Sequence, residues 1–145
     1  MDFADQYCHT ASTLVDRPAA AAFSFMSDGL KQTRWALGSW DRRKLDDGLF
    51  VGTSLFNGRE TYVRLTVDQV NLLVIYHVGA SPEALQPRNM ARVVPGPAVG
   101  LGPDKCLVTL STWRAADTPD DRWRLTCVSH KTEMYMIRHL IESGG

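Results

Sequence analysis

With 145 residues, 44% of them hydrophobic, the chain is long enough for a single domain, residues 1–145, that buries a real core without help from a metal or disulfides. Its 16 lysines and arginines balance 16 aspartates and glutamates, which argues against nucleic acid and against a strongly charged partner. Zero formal net charge also leaves little electrostatic protection against self-association, so a homodimer is compatible with the composition.

The N-terminus, Met1-Asp2-Phe3-Ala4-Asp5, is acidic and lacks the basic-then-apolar order of a signal peptide. Residues 6–15 read as a first strand, closed by Asp16-Arg17-Pro18. A proline then opens a short helix over 18–26, where four consecutive alanines favour helix, and Ser27-Asp28-Gly29 breaks it. A second helical turn fits residues 30–34. From Trp35 the pattern changes to hairpins, with strands expected at 35–45, 49–56, 59–67 and 72–78. Their turns are Asp46-Asp47-Gly48, Asn57-Gly58 and Asp68-Gln69-Val70-Asn71, and Asn57-Gly58 is a strong signal for a two-residue hairpin. Residues 81–87 read as a loop, 88–94 as a strand, 95–103 as a connector rich in proline and glycine, and 106–114 as the last strand. No apolar stretch approaches the ~20 residues needed to cross a bilayer, so the expectation is a soluble cytoplasmic protein without membrane insertion.

The last third carries the most informative pattern. Thr118-Pro119-Asp120-Asp121 offers a hydroxyl to cap, a proline suited to the first helical position, and acids facing the helix dipole. Trp123, Cys127, His130, Met134, Ile137 and Ile141 follow at alternating steps of four and three, one stripe of a helix reaching about Glu142. Trp123, Leu125 and Cys127 also alternate at period two, so a strand over 122–128 is the competing reading. The start signal and the unbroken stripe favour helix.

The order strand, two short helices, six strands, long closing helix resembles the helix-grip fold of the START/Bet v 1-like (SRPBCC) superfamily, which includes polyketide cyclase/dehydrase-like proteins. Val15-Asp16-Arg17-Pro18 with Phe23 and Trp35 is similar to the superfamily's opening, Gly52-Thr53 to a small element of its third strand, and Glu133-Met134 with Leu140-Ile141-Glu142 to its closing helix. The resemblance implies an α+β domain in which a curved antiparallel seven-stranded sheet wraps around the long C-terminal helix, with a hydrophobic cavity between them. It fixes no reaction, because one fold hosts many functions.

Hairpin register then assigns faces. A two-residue Asn57-Gly58 turn pairs Phe56 with Arg59 and puts Phe50, Gly52, Ser54, Thr61, Val63 and Leu65 on one face, joined by Val67, Leu72, Val74, Tyr76 and Val78 across the next turn. This apolar set is the natural inner face, and His77 points outward. A three-residue Asp46-Asp47-Gly48 turn with Gly48 left-handed adds Trp40 and Arg42 to it, whereas a two-residue Asp47-Gly48 turn adds Asp41 and Arg43; the former suits glycine better.

The candidate ligand-binding residues are therefore Trp40, Phe50, Val63, Leu65, Val74, Tyr76, Trp113, Trp123, Cys127, His130 and Met134, with the strand face of Trp113 open. Tyr76 and His130 are the polar members that would orient a ligand. Each of the aromatic residues is equally an ordinary core residue. Cys127 and His130 share a helical face but lack further ligands, so no metal is expected. Cys8, Cys106 and Cys127 are odd in number and form no C-x-x-C pair, which fits free thiols in a reducing compartment. The connector at 95–103 lacks the Gly-Lys-Ser/Thr of a phosphate loop, and no nucleophile motif or cofactor fingerprint is present. The expected function is binding, transport or processing of a small hydrophobic or amphipathic molecule without a cofactor. A cyclase/dehydratase-like enzyme and a protein-interaction module of cochaperone-like or toxin-like type are the alternatives.

Overall fold

Seven strands form one curved antiparallel sheet: β1 (Cys8–Val15), β2 (Trp40–Lys44), β3 (Leu49–Thr53), β4 (Glu60–Asp68), β5 (Leu73–Gly79), β6 (Gln86–Pro95) and β7 (Cys106–Trp113). Their spatial order is β1-β7-β6-β5-β4-β3-β2, so β2 to β7 run as a meander and β1 closes the β7 edge. α1 (Ala19–Met26) and a 3-10 turn (Lys31–Arg34) follow β1, and α2 (Asp120–Glu142) ends the chain. This is the helix-grip arrangement expected above. The computed structural model describes residues 6–144; the acidic N-terminal pentapeptide read above lies outside the described residues.

The hairpins keep the predicted faces but not the predicted turns. Ser54 N–H donates to Arg59 O at 2.8 Å and Gly58 N–H to Ser54 O at 2.8 Å, so Asn57-Gly58 sits within a four-residue loop rather than a two-residue one. Phe50 consequently pairs with Val63 instead of Leu65. The next turn is displaced in the same way, with Val67 opposite Val74 and Leu72 left in the loop at φ 52°. Each slip is of two residues, and a two-residue slip leaves every side chain on its original face.

Two boundaries differ for local reasons. Trp35 closes the 3-10 turn, its N–H donating to Gln32 O, so β2 starts only at Trp40. Thr118 makes no side-chain cap; the extended Pro119 takes the N-cap position and its carbonyl accepts the Trp123 N–H at 2.9 Å. The stretch 122–128 is helical throughout, as the three/four spacing required.

α2 packs chiefly along β1, and α1 lies against β6 and β7. The resulting core includes Val15, Phe25, Val74, Val93, Val108 and Ile137, none more than 2% exposed. The α2 stripe is buried from His130 through Met134 and Ile137 to Ile141. Ile137→Ala is expected to destabilise the protein by about 2–5 kcal/mol in urea unfolding, because the cavity it leaves is ringed by close-packed neighbours. Val128→Ala, on the solvent face of the same helix at 56% exposure, should stay within about 0.5 kcal/mol.

Candidate functional site

Between the inner face of the sheet and the first half of α2 lies a cavity of about 860 Å³. Val63, Tyr76, Leu110 and Trp113 line it from the strands, and Trp123, Thr126, Ser129, His130 and Glu133 from α2. Exposed residues of the β3–β4 loop and of the segment preceding α2, among them Asn57 and Asp117, form its mouth.

The inner wall is organised around Arg42. A β-bulge interrupts the β2–β3 ladder between Trp40 and Arg43, with Asp41 at φ 51°. The three-residue Asp46-Asp47-Gly48 turn forms as expected, with both Asp47 and Gly48 left-handed. The extra residue of the bulge then splits the pair that this turn had placed together. Arg42 still points inward over Gly52, while Trp40 pairs with Thr53 on the other face and does not line the cavity. Gly52 makes this possible. A Cβ there would sit 2.7 Å from Ser39 Oγ, 2.8 Å from Trp40 O and 3.0 Å from Arg42 Cγ.

The Arg42 guanidinium donates through Nε to Ser39 O at 3.3 Å and Ser39 Oγ at 3.0 Å, and through Nη1 to Gly29 O at 3.1 Å and to Gln32 Oε1. Its Nη2 takes part in none of these bonds. All its acceptors are neutral, and no carboxylate forms an ion pair with it among the described residues. Burial brings its pKa down to about 10, with Tyr76 and Glu133 pulling the other way, so it stays cationic at neutral pH.

Glu133 faces the same space from α2. Its Oε2 accepts the Leu37 N–H at 3.0 Å, and burial pushes its carboxyl up to about 8 against the pull of that bond and of Arg42. Near neutrality it is mostly a neutral acid able to donate a proton. Tyr76 is fully buried, donates its hydroxyl to Met26 O at 2.7 Å, and meets Trp35 edge to face at 6.2 Å. Burial raises its pKa, so the phenol remains protonated. His130 is brought down to about 4 by burial and by His9, whose ring meets it at 5.5 Å. Three atoms of lining residues, Trp35 Nε1 and His130 Nδ1 deeper in and Arg122 Nη1, are buried without a hydrogen-bond partner among the described residues. Such orphans are rare in folded proteins and mark places where a polar atom of a ligand or a water would fit.

Of the candidates read from the sequence, Val63, Tyr76, Trp113, Trp123 and His130 line the cavity together. Val74 and Met134 are core, Leu65 packs against that core, and the Phe50 ring fills the space over Gly29. Cys127 is half-buried on α2 and, like these four and Trp40, is not part of the lining. No group of three His, Cys, Asp or Glu side chains among the described residues is arranged to hold a metal. Sequence reasoning placed Arg42 on the inner face without giving it a role, and noted Glu133 only as part of the closing helix. Position 133 follows His130 by three and therefore shares its face, the one signal that was available.

No model of a known protein family matches the sequence, and no curated protein does. Solved structures do. The di-domain aromatase/cyclase BexL superposes with a TM-score of 0.69 at 16% identity, over 93% of this chain and 46% of that protein. An aromatase/cyclase from a Streptomyces species gives 0.64 at 12% identity, with 93% of each chain covered. Norcoclaurine synthase from Thalictrum flavum, solved with a transition-state analogue, gives 0.64 at 16% identity and 94% of each chain. The fold is the helix grip that these structures share. At these identities the likeness extends to architecture and leaves the chemistry to this chain's own residues. Within it, no helix among the described residues is long and apolar enough to cross a membrane.

The buried acid has a measurable consequence. Glu133 titrates near 8 when folded and at 4.5 when free, so the unfolded chain loses its proton first. Its contribution therefore erodes stability as pH rises from 4.5 to about 8 and is flat above. His130 has the opposite sign and costs stability as pH falls from 6.5 to about 4. Glu133→Gln keeps an acceptor for Leu37 but cannot ionise. Urea unfolding across pH should show its stability advantage over the wild type growing between about pH 5 and 8 and constant beyond. An unchanging difference would mean that Glu133 is ionised in the folded protein.

Proposed function

We propose that the protein binds a small amphipathic molecule between sheet and α2, with an apolar body along Val63, Leu110 and Trp123 and an oxygen-bearing end at Arg42 and Glu133. The observation that carries this reading is the cavity's inner wall. Apolar side chains there surround one cation without an acid partner, one protonated acid and two orphaned polar atoms. Affinity would come mainly from desolvation of the body, about 25 cal/mol per Å² of apolar surface removed from water. Orientation would come from the few polar groups, as in ligand sites generally. An open cavity of this size, lined by apolar side chains with a few polar groups, supports a container over a protein-interaction module, which would fill its core.

One observation favours a second reading, processing of the ligand in the manner of a cyclase or dehydratase. Glu133 combines a carboxyl near 8 with the Arg42 charge across the same space, so it could give and take a proton near neutral pH while Arg42 steadies negative charge developing on a carbonyl oxygen. The aromatase/cyclases and norcoclaurine synthase among the fold's neighbours make catalysis in such a cavity chemically reasonable.

Titration with N-phenylnaphthylamine, a neutral apolar fluorophore, tests the container reading. One saturable site with blue-shifted emission is expected, together with a non-covalent mass of a few hundred daltons by native mass spectrometry on gently purified protein. Thr126→Trp, which extends an indole from α2 into the space, should abolish probe binding while leaving the far-ultraviolet circular dichroism unchanged. Failure of the wild type to bind the probe, with a bare native mass, would overturn the proposal. Processing is separated from passive binding by Glu133→Gln, which retains affinity but has no proton to transfer.

A further inference from the structure

Besides Arg42, four arginines line the cavity: Arg59, exposed in the β3–β4 loop, and Arg88, Arg114 and Arg122, whose surroundings are unequal. Arg114 is satisfied: its Nε and Nη2 donate to Thr118 O at 3.2 and 2.7 Å, and Nη2 also pairs with Asp120 Oδ1 at 2.6 Å. Arg122 is not. Its guanidinium lies over the Phe56 ring, 4.2 Å from the centroid, and its Nη1 is buried without a hydrogen-bond partner among the described residues. The adjacent carboxylate of Asp121 accepts the Arg122 backbone N–H at 2.9 Å and forms no ion pair with the guanidinium. Arg88, half-buried on β6, lines the same cavity and also lacks an ion pair among the described residues.

Stacking fixes what such a group can do. A guanidinium laid over an aromatic ring has one face occupied, and its N–H donors radiate in its plane toward a planar anion. A buried N–H without an acceptor is costly, and a carboxylate satisfies it with a charge-assisted bond. We infer that the ligand is an organic acid, its apolar body inside the cavity and its carboxylate at the mouth on Arg122, with Arg88 adding charge. The assignment rests on the container reading and names the class of molecule that the container takes.

Calorimetric titration with naphthoate and naphthamide, one ring system with and without the charge, tests this. The wild type should bind naphthoate on the order of tenfold or more tighter than naphthamide. Arg122→Gln should bring the two within about twofold by weakening naphthoate alone, and Arg122→Lys, which keeps the charge but not the stacked planar fork, should recover only part of the preference. Naphthamide affinity, equal in all three proteins, reports that the cavity is intact. Equal affinities in the wild type would overturn the acid assignment and leave the container standing. A preference that survives Arg122→Gln but disappears in Arg42→Gln would overturn the seat at Arg122 and move the anion to the inner wall. If neither compound binds, the container reading fails and the acid assignment falls with it.

Discussion

The Arg42 guanidinium is a cation taken largely out of water, and the residues around it are arranged to make that tolerable. A buried charge without a counter-ion costs several kcal/mol unless dipoles replace its lost hydration. Here the dipoles are the Gly29 and Ser39 carbonyls, the Ser39 hydroxyl and the Gln32 amide. Supplying them requires the 3-10 turn at Lys31–Arg34 to pack beside β2, and requires β3 to carry a glycine at position 52, where any side chain would strike Ser39, Trp40 and Arg42. The bulge at Asp41 and the absence of a side chain at Gly52 are therefore two halves of one device. Glu133 completes it by staying protonated. As a mostly neutral acid it sets no counter-charge against Arg42, which keeps its cation without an ion pair among the described residues.

The helix decides how large that space is. α2 lies along β1 at one end of the sheet, and α1 lies against β6 and β7. The concave surface of β4 and β5 in front of the first half of α2 is covered by neither in the same close way. His130, Met134, Ile137 and Ile141 are buried, whereas Trp123 and Cys127 nearer the start of α2 are only partly so. One amphipathic stripe thus does two things: its C-terminal half seals a core and its N-terminal half borders a cavity.

Much of this was legible in the sequence, for reasons that particular residues make plain. Helix α2 was readable because its stripe runs unbroken for five steps, and the inner face of β3 to β5 because period-two alternation survives any even slip of register. The Asn57-Gly58 loop shows this: its length was misjudged by two residues, and Val63 and Tyr76 still face inward. An odd slip reverses a face, and of the two irregularities of odd length, one between β5 and β6 at Tyr76/His77 and the bulge at Asp41, the latter removed Trp40 from the lining. A bulge depends on how an edge strand meets its neighbour and a following turn, and leaves no periodic trace. The distinction between core and lining was illegible for a related reason. Val63 and Val74 are alike in sequence, alternate correctly and are both buried, yet only Val63 borders open space. Arg42 and Glu133 drew no role from the sequence because an acid or a cation on an apolar face reads as an exception until its partner across the fold is known.

The cavity is asymmetric in its polarity, and that asymmetry constrains how anything can lie in it. The inner wall presents Arg42, Glu133 and the orphaned Trp35 and His130 nitrogens, the middle presents Val63, Leu110 and Trp123, and the mouth presents Arg122 on Phe56. A wholly apolar guest would leave the polar atoms at both ends unsatisfied, and each such atom costs about 1–3 kcal/mol. A strongly polar guest would gain nothing from the middle. The guest that satisfies all three zones has a rigid apolar body with hydrogen-bonding oxygens at one end and an acid at the other. Its orientation is then decided by charge state: Arg122 offers an unpaired cation that suits a carboxylate, whereas the inner wall joins its cation to a protonated acid that suits a neutral carbonyl or hydroxyl better. The same pairing makes the inner end the place where a proton could be exchanged without first separating an ion pair. Binding and chemistry would accordingly be divided between the two ends of one cavity, the mouth selecting the guest and the inner wall acting on it.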